Sequence, residues 1–349
     1  MAMIRATTSG TLKAYRVNLN NSTLRLNSAR NTVMTERNFN TYAEDPAAAA
    51  ESFQLRRSFQ MVSAQLDVSE SVARKFDTAY SAIDNVVSLV DNQADSSALQ
   101  AALAAATGTA GSGRNALGSQ LIQMADGIIQ TLNCKHGDQY IFSGADGLNV
   151  PFTWEGEGAD RKLYYRGYPV DENSDTLSYL STKENRYLDV GIGLEEDENN
   201  NLIGSSAFDS TIQGVNVLGF GTDDQGQPNN IATIVYRMGY LLSQCDQKNG
   251  EWASDDDRKE FEDLLNKFDH SAAELKEYHV EMSTKANYLQ SNQRVLEDTA
   301  YTLNEQIVAI EECDLADAIT SFSWAEYCYN AALKMGNSIL SESLMDYIR

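Results

Sequence analysis

Long runs of this chain place their apolar residues along a single helical stripe. Leu55, Phe59, Val62, Leu66, Ser69, Ala73, Phe76, Tyr80, Ile83, Val87 and Val90 alternate steps of four and three, the spacing of an a/d heptad seam. Phe261, Phe268, Leu275, Met282, Leu289, Leu296, Leu303 and Ile310 recur at a strict heptad. That predicts a second helix of about 50 residues, roughly 75 Å long at the α-helical rise. The residues that complete its heptads (Tyr278, Lys285, Asn292, Thr299 and Gln306) are weaker, which suits a multi-helix bundle better than a leucine zipper. Leu12, Tyr15, Leu19, Ser22, Leu26, Ala29 and Val33 follow the same rhythm, and Leu117, Leu121, Met124, Ile128 and Thr131 add another helix. Uncapped heptads of this length read as coiled coil.

Glycine and proline divide the chain. From Gly10 to Gly108 there is no intervening glycine and a single proline, Pro46, and between Gly250 and Gly336 there is neither. The stretch from Gly137 to Gly250 holds 15 of the 22 glycines and three of the four prolines, so both ends read as helix and the middle as strands and loops. "QYIFSG", "PFTWEG", "KLYYRGYPV" and "RYLDVGIGL" are rich in aromatic and β-branched residues and predict a β-rich antiparallel insertion. The acidic runs "EEDENNN" and "GTDDQGQP" belong on a solvated surface. The expected fold is mainly α with a β-rich insertion, an elongated rod of long helices drawn from both ends of the chain. The expected division is 1–43 with 305–349 as inner helices, 44–136 with 237–304 as a helical rod, and 137–236 as the β-rich domain.

Composition narrows the function. A net charge of −23 argues against a nucleic-acid binder, which would need a concentrated basic face, and against docking on an anionic membrane surface. No run approaches the ~18 apolar residues of a membrane span. The segment "MAMIRATTSGTLKAYRVNL" lacks the apolar core and cleavage site of a standard secretory signal. At the other end, Ile339, Leu340, Leu344, Met345, Tyr347 and Ile348 crowd together, which leads us to expect cover from elsewhere in the chain or from another molecule.

Candidate chemistry is sparse. Cys134, Cys245, Cys313 and Cys328 are too scattered for a disulfide framework, and Cys134 with His136 lacks a second pair at zinc-ligand spacing. Cys313 and Cys328 read as minor core residues of helices rather than redox partners. The remaining histidines, His270 and His279, form no motif. Asp197, Asn199 and Asn201 resemble the first ligands of a calcium loop, but Leu202 stands where glycine is needed and Phe208 where glutamate is needed. No phosphate-binding glycine loop or nucleophile elbow occurs, so no enzyme, metal or cofactor is expected. In "EDPAAAAES", Asp45 is placed to cap a helix and Pro46 to fill its first position, and the four alanines leave a narrow surface for another helix.

Several stretches together resemble the flagellin superfamily of bacterial flagellar axial proteins, and within it the hook-associated junction proteins. "EDPAAAAESFQLRRSF" is similar to the family's Asp-Pro-Ala stretch with a following Leu-Arg pair. "GDQYIFSGADGLNVPF" resembles its Gly-x-Tyr-x-Phe-Ser-Gly hairpin, and "TWEGEGADRKLYYRG" the short hairpin after it. "DLADAITSFSWAEYCYNAALKMGNSILSESLMDYIR" is similar to its alanine-rich closing helix. The chain departs from the family in "NTVMTERNFNTYAEDP", which lacks the usual Ser-x-Gly-x-Arg-Ile run, and residues 171–247 match nothing in it. "NVVSLVDNQA" lacks the charged residues of the flagellin stretch read by an innate immune receptor.

The resemblance implies a flagellin-like rod whose end helices pair in the inner core of a tube of stacked subunits while the middle domain faces solvent. It implies a structural, extracellular protein exported unfolded through the flagellar type III channel, with end helices ordered by assembly. The partners implied are copies of itself, the other hook–filament junction protein, flagellin and an export chaperone. The expected subunit-assembly residues are Leu12, Tyr15, Leu19, Leu26 and Val33, facing Ile319, Phe322, Tyr329, Ala332, Ile339, Leu344 and Tyr347. Two rivals share parts of the pattern: a filament flagellin, and a secreted coiled-coil adhesin or translocator.

Overall fold

The computed structural model describes residues 8–91, 97–107, 113–191, 195 and 207–347, with the backbone alone at 8, 9, 91 and 338–347. The chain divides into two compact units, one built from residues up to Ser63 and from Glu297 onward, the other from Ala64–Leu296.

The first unit contains α1 (Thr8–Thr35), the beginning of α2 (Pro46–Asp91), the end of α8 (Asp255–Glu311) and α9 (Leu315–Tyr347). Both helix starts are capped by aspartate. Asp45 Oδ1 accepts from the amides of Ala47 and Ala48 at 3.1 and 3.0 Å, with Pro46 at the first position, where a missing N–H leaves no gap. Asp314 Oδ1 accepts from Ala316 N at 2.8 Å. The breaks after α1 and α8 are tied to each other. The Asn38 side-chain amide donates to the carbonyls of Ile310 and Glu312 at 3.0 and 2.9 Å, acceptors that a helix end would otherwise leave unpaired. Asn38 N donates to Glu311 O at 2.7 Å, and Cys313 N donates to Glu36 O at 3.0 Å.

Next to this joint lies a buried charge. Glu311 is 7% exposed, and its carboxylate accepts from Arg56 Nε at 2.5 Å, from Arg56 Nη2 and from the Ser52 hydroxyl. Arg56 hydrogen bonding holds the Glu311 carboxyl down at about 2; Ser52 and the Arg56 charge act the same way, and burial opposes them. Half the Arg56 side chain stays in water, which weakens the pair as a source of stability.

The second unit has its own core. Along α2, Phe76, Ile83 and Val90 on the heptad seam and Val86 beside it are fully excluded from solvent. On α8, Phe261, Phe268, Leu275, Met282 and Leu289 are 0–1% exposed, as their strict spacing predicts. The α2 seam is half-buried at Leu55, Phe59, Val62 and Leu66 and widens after Val72, where Ala79 and Ala82 are also buried. Three further helices complete the core: α3 (Ala98–Ala106), α4 (Arg114–Leu132) and α7 (Ile231–Ser243). Asn230 starts α7 by accepting from the amides of Ala232 and Thr233 at 3.0 and 3.2 Å. Helices α4 and α7 approach through reciprocal glycines. A Cβ on Gly118 would stand 2.7 Å from Gly239 O, and one on Gly239 would stand 2.8 Å from Gly118 O. No side chain fits at either position without parting the helices.

The sheets are smaller than the aromatic stretches predict. β1 (Lys135–His136) pairs with β2 (Gln139–Tyr140), and β3 (Phe152–Glu155), β4 (Lys162–Tyr165) and β5 (Tyr168–Pro169) form a meander. β6 (Tyr187–Leu188) pairs with β7 (Phe208–Asp209). Short helices α5 (Asp175–Thr182) and α6 (Gly214–Leu218) lie between. In "QYIFSG" only Gln139 and Tyr140 pair as strand, and Ile141 and Phe142 are buried in the turn that follows. Such residues reported burial rather than ladder pairing. The result is a helical protein with a small central antiparallel sheet region. All four cysteines are unpaired. Among the described residues no cluster of His, Cys, Asp or Glu is arranged to hold a metal, and no helix is long and apolar enough to cross a membrane. Phe208 lies in the core, and most of the stretch resembling a calcium loop, with Asp197, Asn199 and Asn201, falls outside the described residues.

Two measurements check this packing. Gly239→Ala should destabilise the protein by about 1–3 kcal/mol in urea unfolding. Gly113→Ala, where nothing lies within 4 Å of the added methyl, should change it by less than about 0.5 kcal/mol. The Glu311 carboxyl titrates lower in the folded chain than its ordinary 4.5, so its contribution is present above about pH 4.5 and is lost as pH falls towards 2. A urea midpoint followed from about pH 6 to about pH 2 should therefore drop more steeply for the native chain than for Glu311→Gln, by on the order of 1–2 kcal/mol.

Candidate functional site

Helices α1 and α9 pack antiparallel along one face of each. Near the joint, Cys313 Sγ is 3.8 Å from Thr32 O; at the far end, Tyr15 reaches Gly336. The contact face of α1 is the seam expected from spacing: Leu12, Tyr15, Leu19, Ser22, Leu26, Ala29 and Val33 are all half-buried, with exposed neighbours at Val17 and Leu24. On α9 the covered positions are Ala318, Phe322, Ala325, Tyr329, Ala332 and Gly336, again at steps of four and three. Gly336 permits the closest approach, because a Cβ there would lie 2.0 Å from the Tyr15 hydroxyl.

Placement of the expected assembly residues therefore divides. Leu12, Tyr15, Leu19, Leu26 and Val33 face α9, and Phe322, Tyr329 and Ala332 face α1. Ile319 does not belong to this face: it is 48% exposed, and Ala318, 7% exposed, takes the seam position. Alanine sits there because the backbones run close, and a branched side chain would hold them apart. The side chains of Ile339, Leu344 and Tyr347 lie outside the described residues, as does Ile348.

Spacing arguments built on large apolar residues missed the rest of α9. Trp324, Tyr327 and Met335 are 68%, 66% and 62% exposed on the side away from α1, and Leu315, Ile319 and Leu333 flank the covered seam. Trp324 and Tyr327 stack on each other with ring centroids 5.7 Å apart. Between Leu315 and Asn337 the charged residues are Asp317, Glu326 and Lys334 alone. A helix apolar around most of its circumference is a buried helix, and within its own unit this one has a single helical neighbour along its length. Helix α1 differs from the acidic remainder of the chain. Lys13, Arg16, Arg25 and Arg30 are all exposed, and residues 8–35 contain no Asp or Glu. Together the pair presents an apolar face beside a basic one, which suits docking against other protein surfaces rather than chemistry on a small substrate.

No family model matches the sequence, and no curated protein matches it. Solved structures do. A protein from Vibrio parahaemolyticus, provisionally assigned as flagellar hook-associated, superposes with a TM-score of 0.55 at 17% identity, covering 76% of this chain and 99% of its own. FlgL from Bacillus cereus gives 0.43 at 15% identity, covering 73% and 99%. FlgL from Xanthomonas campestris gives 0.35 at 11% identity, covering 76% and 97%. The first of these superpositions establishes the fold. With its paired end helices and small central antiparallel sheet region, the chain has a flagellin-like fold, shared with that Vibrio parahaemolyticus protein.

Proposed function

We propose that this chain is a structural subunit of the bacterial flagellum, a junction protein of the hook-associated protein 3 kind that joins hook to filament. The observation that carries this reading is the α9 helix, apolar on sides that nothing in its own unit covers. Neighbouring subunits supply the cover: the outward residues Trp324, Tyr327 and Met335 pack against α1 and α9 of adjacent copies, and the same contact repeated without closing gives helical stacking. At the two faces of the junction, the partners are the other junction protein and flagellin. The chain reaches the outside unfolded through the flagellar export channel, accompanied by a chaperone, and the α1/α9 pair gains its full order on assembly. It performs no catalysis in this role.

Two variants test the reading in a motile strain lacking the native chain. Removal of residues 310–349 should abolish assembly on the hook and motility. Trp324→Glu, at a site already 68% exposed, should leave the unfolding midpoint unchanged yet reduce incorporation at the junction at least about tenfold, the effect expected of a lost aromatic anchor. Tyr179→Glu, at a site 59% exposed on α5, should assemble normally. Normal motility with either of the first two variants would overturn the proposal. Growth of the purified chain into long filaments by itself would overturn the junction role in favour of a filament flagellin.

A further inference from the structure

The second unit has a cavity of about 230 Å³ whose charge is opposite to that of the chain as a whole. One turn of α2 around Lys75 forms a wall, the β1–β2 hairpin from His136 to Ile141 another, and Arg186, Leu188 and Ser210 beside the β6–β7 pair a further one. Lys75, Arg186 and His136 line it, and no Asp or Glu does. In a chain with 50 acidic and 27 basic residues, composition predicts the reverse.

Hydrogen bonds to one residue hold the two fixed cations near each other. Ser210 donates from its amide and its hydroxyl to Arg186 O at 2.9 and 3.0 Å, and Ser210 O accepts from Lys75 Nζ at 2.8 Å. An ammonium has three donors and a guanidinium five. Among the described residues the Lys75 ammonium makes that one hydrogen bond, the Arg186 side chain makes none, and neither forms an ion pair. Asp209, the carboxylate nearest in the chain, does not line the cavity. Its Oδ1 already accepts from Arg186 N at 3.2 Å and from the amide and hydroxyl of Thr211 at 3.0 and 2.7 Å. Burial lowers the pKa of the Lys75 ammonium, the Arg186 charge lowers it further, and Asp209 acts against both. Like charges drawn together on a half-buried wall, with donors unused, are an arrangement that an oxyanion relieves. Lys135 Nζ, on the same hairpin as His136, sits 4.5 Å over the Tyr140 ring, which fixes that wall and adds positive charge next to it.

Size and charge narrow the occupant. The volume falls below the roughly 300 Å³ at which pockets for drug-sized ligands begin. Two fixed cations match a double negative charge better than a single one, and a guanidinium fork beside an ammonium suits phosphate oxygens. We propose that this cavity binds a small doubly charged oxyanion, phosphate or the phosphate group of a small ester, between Lys75 and Arg186. The Arg186 guanidinium donates to two of its oxygens and the Lys75 ammonium to a third. In an ester, the carbon side lies against Leu188.

The test is an isothermal titration of the full-length chain at about pH 8, where phosphate is mostly a dianion, in about 0.1 M salt, which screens the acidic surface beyond about 10 Å. The probes are inorganic phosphate and glycerol 3-phosphate, with acetate as a singly charged comparator. At least one phosphate probe should bind with a Kd at or below about 1 mM, and acetate at least about tenfold more weakly. The tighter of the two phosphate probes identifies the source, free or esterified. Arg186→Gln should weaken binding about tenfold through lost charge-assisted hydrogen bonds, with an unchanged unfolding midpoint because the side chain is exposed and unpaired. Lys75→Met should weaken it by a similar factor, and Lys259→Gln, on an exposed face of α8, should leave it unchanged. Absence of binding by both phosphate probes would overturn the proposal. So would affinity unchanged in Arg186→Gln, or acetate bound as tightly as phosphate.

Discussion

Two helices packed side by side have one interface between them, and each can bury only the face it turns to the other. Most of the first unit follows from that constraint. Helix α1 respects it, with one half-buried seam and a basic, polar outer side. Helix α9 does not: Ala318, Phe322, Ala325, Tyr329, Ala332 and Gly336 make the contact with α1, while Trp324, Tyr327 and Met335 face outward. A buried aromatic side chain removes some 150–250 Å² from water, worth several kcal/mol at about 25 cal/mol per Å². That stabilisation is unclaimed within the unit, so any surface that covers α9 gains it.

The second unit makes the contrast clear. Its helices bury apolar residues on faces that already have partners, and its reciprocal glycines let α4 and α7 meet backbone to backbone. A chain that pairs one self-sufficient unit with one whose burial is incomplete is suited to stand as a component of a larger assembly. The joint at Asn38, Glu311 and Arg56 then has a purpose beyond capping. It fixes how the α1/α9 pair leaves α2 and α8 before any neighbour arrives.

The sequence exposed the helical scheme well, because heptads are a direct record of which face is buried. Phe261 to Leu289, Phe76 to Val90 and the whole α1 seam were legible in that way. Asp45 and Pro46 announced the start of α2 with equal clarity. What escaped had a common cause. Close helix contacts are made by Ala318, Ala325, Gly336, Gly118 and Gly239, and a reading that weighs residues by hydrophobic size passes over them. Ile319 was favoured over Ala318 for that reason. The central region misled differently: Ile141 and Phe142 have strand-like side chains but are buried from turns, where tertiary packing rather than pairing sets their environment.

The central claim is that the α1/α9 pair is incomplete until other subunits cover it. Amide hydrogen exchange of residues 8–35 and 315–347 tests it most directly, compared between the isolated chain and the same chain in an assembled hook–filament junction. The account predicts weak protection of these helices in the isolated chain, strong protection in the assembly, and little change over α4 and α7. Protection of α9 in the isolated chain equal to that of α4 and α7, with no further gain on assembly, would contradict it.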